Sequence, residues 1–120
     1  MPLEPRDPAV LWDMLQACRD IIAFVKGKTE EDYARDVLLR SAVERQVEII
    51  GEAARRVSEG FRHEHPEVPW AGIVGQRNVL SHGYDQVDNH RIWLVAVQDV
   101  PALVPKLEAL VPETPPERAG

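Results

Sequence analysis

The sequence predicts an all-α fold, arranged as an up-and-down four-helix bundle with a kinked last helix. Three observations carry this reading. Apolar residues recur at three- and four-residue intervals along four segments, clusters of Gly and Pro separate those segments, and no stretch shows the apolar-polar alternation of a strand. At 120 residues a single core is the expected solution, because two cores would each bury too little surface. A helical domain is therefore expected over 1–111, followed by a disordered, Pro-rich tail over 112–120.

The first helix is expected from Asp7 as N-cap, with Pro8 at the first helical position, where its missing N–H is harmless. Val10, Leu11, Met14, Leu15, Cys18, Ile21, Ile22 and Val25 then form one stripe, and Gly27 supplies the stop. Thr29, followed by three acidic residues, caps a second, long helix reaching roughly Ser58. Its apolar positions, from Leu38 and Leu39 to Val57, are too many for one narrow stripe, so neighbours are expected on two sides. Gly51 within it suits a close helix crossing. The segment EGFRHEHPEVP, residues 59–69, is rich in breakers and reads as a connection. A short third helix is expected from Trp70 to about Ser81, ended by Gly83. The fourth starts from Asp85 or Asp88 as cap and runs to Leu110, with Pro101 and Pro105 each removing a backbone donor and forcing a kink or restart.

Composition narrows the function classes. The N-terminal MPLEPRDPAV lacks the apolar run of a secretory signal and no stretch is long enough to span a bilayer, so a cytoplasmic protein without membrane contact is expected. The single cysteine, Cys18, permits neither an internal disulfide nor a thiolate cluster, and helix burial is its expected fate. His63 and His65 sit beside glutamates, but two imidazoles without a third ligand make a weak metal site, and no metal or cofactor is expected. The net charge of −6 gives no bulk attraction for phosphate, so any contact with RNA must be local.

The chemically informative stretch is RNVLSHGYD, Arg77 to Asp85. It gathers a guanidinium, an amide, an imidazole and a phenol. On an unbroken helix five residues advance about 140° past a full turn, which would aim Arg77 and His82 to different sides. They converge if the helix ends between them, which Gly83 allows, or if a second subunit places its own copies across the site. Such a pair suits RNA cleavage without metal. The ribose 2′-hydroxyl attacks the adjacent phosphate, imidazole transfers the proton, and arginine grips the phosphorane oxygens. Asn78 can orient either group.

These residues resemble the motif of the HEPN superfamily, an Arg and a His separated by four to six residues. The arrangement RNVLSHGY is similar to the RX4HXY signature of the HepT family, and VERQVEIIGEAARRVS, PEVPWAGIVGQRN and DQVDNHRIW extend the resemblance over most of the chain. The resemblance implies an endoribonuclease toxin of a toxin–antitoxin system, with Arg77 and His82 as the catalytic pair at a homodimer interface. It also implies an MntA-like nucleotidyltransferase antitoxin as partner, with Tyr84 as the residue it silences by AMPylation. A bulky anionic adduct two residues from His82 would occupy the phosphate site and repel RNA. The alternative is a non-catalytic HEPN interaction module that dimerises and binds a nucleotidyltransferase or a nucleotide, which the acidic charge favours. A third possibility is a helical scaffold in which Arg77 and His82 only satisfy each other and nearby carbonyls.

Overall fold

In the computed structural model, which describes residues 5–75 and 88–112, every regular element is helical. The first, α1 (Asp7–Val25), carries Pro8 in its first turn and buries Val10, Leu11, Met14, Leu15, Cys18 and Ile21 along the stripe that the sequence predicts. Gly27 ends the run at φ +74, a left-handed conformation that costs glycine nothing and an L side chain about 1–2 kcal/mol. The cap differs from expectation. Arg6 occupies the N-cap without a side-chain capping bond, its Nε donating instead to the Arg56 carbonyl at 2.8 Å, and Asp7 is already helical and fully buried. Its carboxylate instead accepts from the backbone N–H of Ser58 at 2.9 Å and from the Ser58 hydroxyl at 2.6 Å.

The long second helix is also corrected. It is divided into α2 (Glu30–Arg35) and α3 (Val37–Arg56), because Asp36 adopts an extended backbone and turns its side chain to cap the next helix, accepting from Leu39 N–H at 3.1 Å. The predicted start holds, with Thr29 and Asp32 forming a reciprocal capping box. Those hydrogen bonds hold the Asp32 carboxyl below its ordinary range. At the corner the Arg40 guanidinium donates to the carbonyls of Tyr33 and Ala34, in the last turn of α2, where helix carbonyls run short of backbone donors. The break leaves Leu38, expected in the core, 80% exposed, while Leu39, Val43, Val47, Ile50, Ala54 and Val57 form the buried face. Gly51 lies on that face, and α3 packs on α1.

The predicted connection contains a further helix, α4 (Glu59–Glu64), despite Gly60. Phe61, only 5% exposed, anchors it, and the Asp7 carboxylate fixes Ser58 at its start. Where four helices were expected, the described residues thus hold more and shorter segments. Residues 70–75 form α5, up to the limit of the described stretch.

Of the two candidate caps for the last helix, Asp88 is used, accepting from Arg91 N–H at 3.1 Å, and Asp85 lies outside the described residues. The helix runs as α6 (Asn89–Leu94), a π turn (Val95–Asp99) and α7 (Val100–Glu108). The expected disturbance at Pro101 takes this form. Pro101 cannot donate and its ring crowds the carbonyl four residues back, so the preceding turn widens and Val100 N–H bonds the carbonyl of Val95. Pro105 is accommodated within α7. The helix α7 and the π turn pack against α1, and α6 packs against α2. The residues of the expected tail from 113 onward lie outside the described residues.

Candidate functional site

The four side chains singled out by the sequence, Arg77, Asn78, His82 and Tyr84, lie outside the described residues. What the structure describes is the frame on either side of them. Upstream, Val68 is buried, and the Trp70 indole N–H donates to the His65 carbonyl at 2.9 Å, which fixes the entry to α5. Ile73 N–H bonds the Pro69 carbonyl at 3.0 Å, and the Ile73 and Val74 side chains rest on the core.

Downstream, the Asp88 cap starts α6, and Ile92 and Trp93 bury its inner face. The Trp93 ring meets Tyr33 of α2 at 5.6 Å between centroids. One turn earlier His90 Nδ1 lies 2.7 Å from Glu30 Oε2, a second tie between α6 and α2. The hydrogen bond and charge of Glu30, helped by Asp88, raise the His90 pKa above its ordinary value. Sequence reasoning missed this pair. Glu30 reads as a dipole-complementing acid, His90 enters only as part of the stretch DQVDNHRIW, and a contact across sixty positions leaves no local pattern.

Two buried groups beside this frame are notable. Tyr33 is fully buried, its hydroxyl lacks a hydrogen-bond partner among the described residues, and burial, reinforced by the nearby Glu44 carboxylate and opposed by Arg40, pushes its pKa up. Cys18 is buried in the core and desolvation pushes its thiol up to about 12, which leaves it protonated and unreactive. Of the two loop histidines, His65 stacks on Phe61 at 4.4 Å and pairs with Glu67 at 3.0 Å. Among the described residues no group of three or more His, Cys, Asp or Glu is placed to hold a metal ion. No helix among them is long and apolar enough to cross a membrane.

An open apolar groove of about 390 Å³ runs between α3, the start of α5 and α7. Val47, Ile50, Val95, Val100 and Leu103 form its floor, and Asp99 and Lys106 stand at its edge.

Residues 14–110 match the model of the family described as Ribonuclease HepT-like. The chain belongs to this family. The matched span runs from within α1 past the end of α7 and includes the whole stretch from Arg77 to Asp85. This HepT-like chain is 38% identical over 100 residues to a candidate RNase of Methanocaldococcus jannaschii, covering 83% of the chain and 92% of that relative. It is 37% identical over 98 residues to a candidate RNase of Caldanaerobacter subterraneus, covering 82% and 88%. A candidate ribonuclease HepT of Thermococcus cleftensis is 36% identical over 100 residues, covering 83% and 91%. No solved structure matches the HepT-like chain.

Proposed function

We propose that this HepT-like chain is a metal-independent endoribonuclease, the toxin of a toxin–antitoxin pair, acting as a homodimer with Arg77 and His82 as its catalytic groups. The observation that carries the reading is family membership over residues 14–110 together with an Arg and a His at the RX4HXY spacing inside that span. His82 takes the proton of a ribose 2′-hydroxyl as that oxygen attacks phosphorus. The bond from phosphorus to the 5′-oxygen breaks, the leaving oxygen is protonated, and a cyclic phosphate remains. Arg77 stabilises the charge gathered on the phosphorane oxygens, and Asn78 orients the pair. The described frame supports this role by tying the segment's two flanks to the core, through Trp70 on one side and through Asp88, His90 and Trp93 on the other.

The test is cleavage of RNA by the purified protein in EDTA. Cleavage is expected from the wild type and should fall by at least about a hundredfold in His82→Ala, the usual scale of general acid–base catalysis. Undiminished cleavage by that variant would end the assignment. The partner follows from the same reading. An MntA-like nucleotidyltransferase antitoxin transfers AMP from ATP to the Tyr84 hydroxyl, releasing pyrophosphate, and the added anion blocks the phosphate site. Incubation with the cognate enzyme and ATP should add AMP to the wild type and not to Tyr84→Phe. Equal modification of both would move the site elsewhere.

The net charge of −6 favours a second reading, a domain that dimerises and binds its nucleotidyltransferase or a nucleotide without cutting RNA. In that case expression without the partner leaves growth unaffected while the complex still forms.

A further inference from the structure

The helix α6 hangs on α2 by two contacts in matching register. Glu30 and Tyr33 lie three positions apart on α2, and His90 and Trp93 three apart on α6, so the members of each set share one helix face. Glu30 meets His90 at 2.7 Å, and Tyr33 meets Trp93 at 5.6 Å between ring centroids. The two contacts differ in kind. The ring pair is buried, whereas the His90–Glu30 pair is exposed and depends on a proton. Among the described residues, Glu30 from α2 and Asp88 at the cap of α6 are the charges that act on the imidazole. The other acids of α2 are engaged elsewhere, Glu31 with Arg35 and Asp32 with Thr29. Once His90 loses its proton, at most a neutral hydrogen bond is left, about half as strong as a charge-assisted one.

His90 follows His82 by eight residues and the Asp88 cap by two, so of the two contacts this one is nearer in sequence to the stretch that carries Arg77 and His82. A reaction that needs two groups set on one phosphate slows when either is misplaced. We propose that the Glu30–His90 pair is a positioning contact for that stretch which acts while His90 is protonated, and so adds an alkaline limit to cleavage beyond the titration of His82. The proposal rests on Arg77 and His82 being the catalytic groups of the reading above. His90 touches no reacting atom in it, and its part is to keep the start of α6 on α2. The sign follows from the raised pKa of the folded state. The contact is complete below the ordinary imidazole range and fades as pH rises through the raised value.

The experiment is single-turnover cleavage of RNA in EDTA at low salt, with saturating protein and at a temperature where circular dichroism shows every variant fully folded. Dividing the wild-type rate by that of Glu30→Gln at each pH cancels the titration of His82, which both proteins share. The ratio should be about two to three at pH 6, the scale of an exposed ion pair, and fall to one by pH 8.5. His90→Arg carries its cation at both pH values, so its rate divided by that of the His90→Arg, Glu30→Gln double variant should keep the advantage at pH 8.5. A ratio of one at every pH from a cleaving wild type overturns the positioning role and leaves the nuclease standing. A constant ratio above one overturns the proton dependence and gives the effect of Glu30 to its place in the first turn of α2. An advantage that His90→Arg loses by pH 8.5, as the wild type does, assigns the proton to another group and overturns the proposal as well. A wild type that does not cleave overturns both the proposal and the reading beneath it.

Discussion

Two buried polar side chains of similar depth carry opposite expectations. Asp7 and Tyr33 are both fully buried, but the Asp7 carboxylate accepts from two Ser58 groups while the Tyr33 hydroxyl has no hydrogen-bond partner among the described residues. Removing the first leaves donors unsatisfied in the core, so Asp7→Ala should lose about 2–4 kcal/mol in urea unfolding. Removing the second deletes a desolvated group that gains nothing, so Tyr33→Phe should be neutral or stabilising by up to about 1 kcal/mol, with the Trp93 ring contact retained. A loss beyond that range in Tyr33→Phe would reveal an acceptor for the hydroxyl. The His90–Glu30 pair gives a third expectation, set by the sign of its shift. Its folded pKa is raised, so its contribution is complete below the unfolded imidazole value and disappears as pH rises through the folded one. Glu30→Gln should therefore lower the melting temperature at pH 5.5 to 6 and have no effect near pH 8.5. Both side chains are substantially exposed, so the difference should be small and shrink with added salt. An equal loss at both pH values would mean that Glu30 acts through its place in the first turn of α2 instead.

At the scale of elements, what the sequence reveals and what it hides follow from range. The Thr29–Asp32 capping box, the Gly27 stop and the Asp88 cap are encoded within three or four residues, and all are readable before any coordinates, the last as one of two candidates with Asp85. The division of α2 from α3 is not. Asp36 is an ordinary helix-surface residue by pattern, and the corner depends on its choosing to cap Leu39 while Arg40 reaches back to two carbonyls. Likewise α4 is hidden by Gly60 and Pro66, because its start is fixed by Asp7, fifty-one positions away. The π turn before Pro101 was foreseeable only as a disturbance, since a proline says where a donor is lost but not how the preceding turn repairs it. As for the candidate site, Arg77 and His82 are singled out by the resemblance to the family signature more than by their spacing, and of the ties on their flanks the Trp70–His65 bond spans five residues while the Glu30–His90 pair spans sixty and has no local signature. Gly27 tests the local class cleanly. A Cβ there meets nothing within 4 Å, so Gly27→Ala should cost about 1–2 kcal/mol from backbone strain alone. Gly72→Ala, equally open but within α5, should instead be neutral or stabilising.

At the scale of the molecule, the proposed activity has to be reconciled with a net charge of −6. A nuclease that draws RNA with a basic surface releases many counterions on binding, and its affinity falls steeply with salt. In the proposed homodimer the doubled charge would repel the phosphate chain, and salt screens such repulsion over about 8 Å at physiological strength. The attraction left is local, chiefly one Arg77 from each protomer on the reading given above. Two contacts on single-stranded RNA correspond to a log–log salt slope of about −1.4, and screening of the overall repulsion offsets part of it. Binding of labelled single-stranded RNA to His82→Ala protein, followed by fluorescence anisotropy across salt, should therefore show a slope shallower than about −1.5. Arg77→Ala should bring the slope close to zero, or reverse its sign as repulsion alone remains. A slope steeper than about −3 would require a basic RNA track of four or more phosphate contacts, and the pairing of one arginine per protomer with a phosphodiester would then be too small a description of how substrate is held.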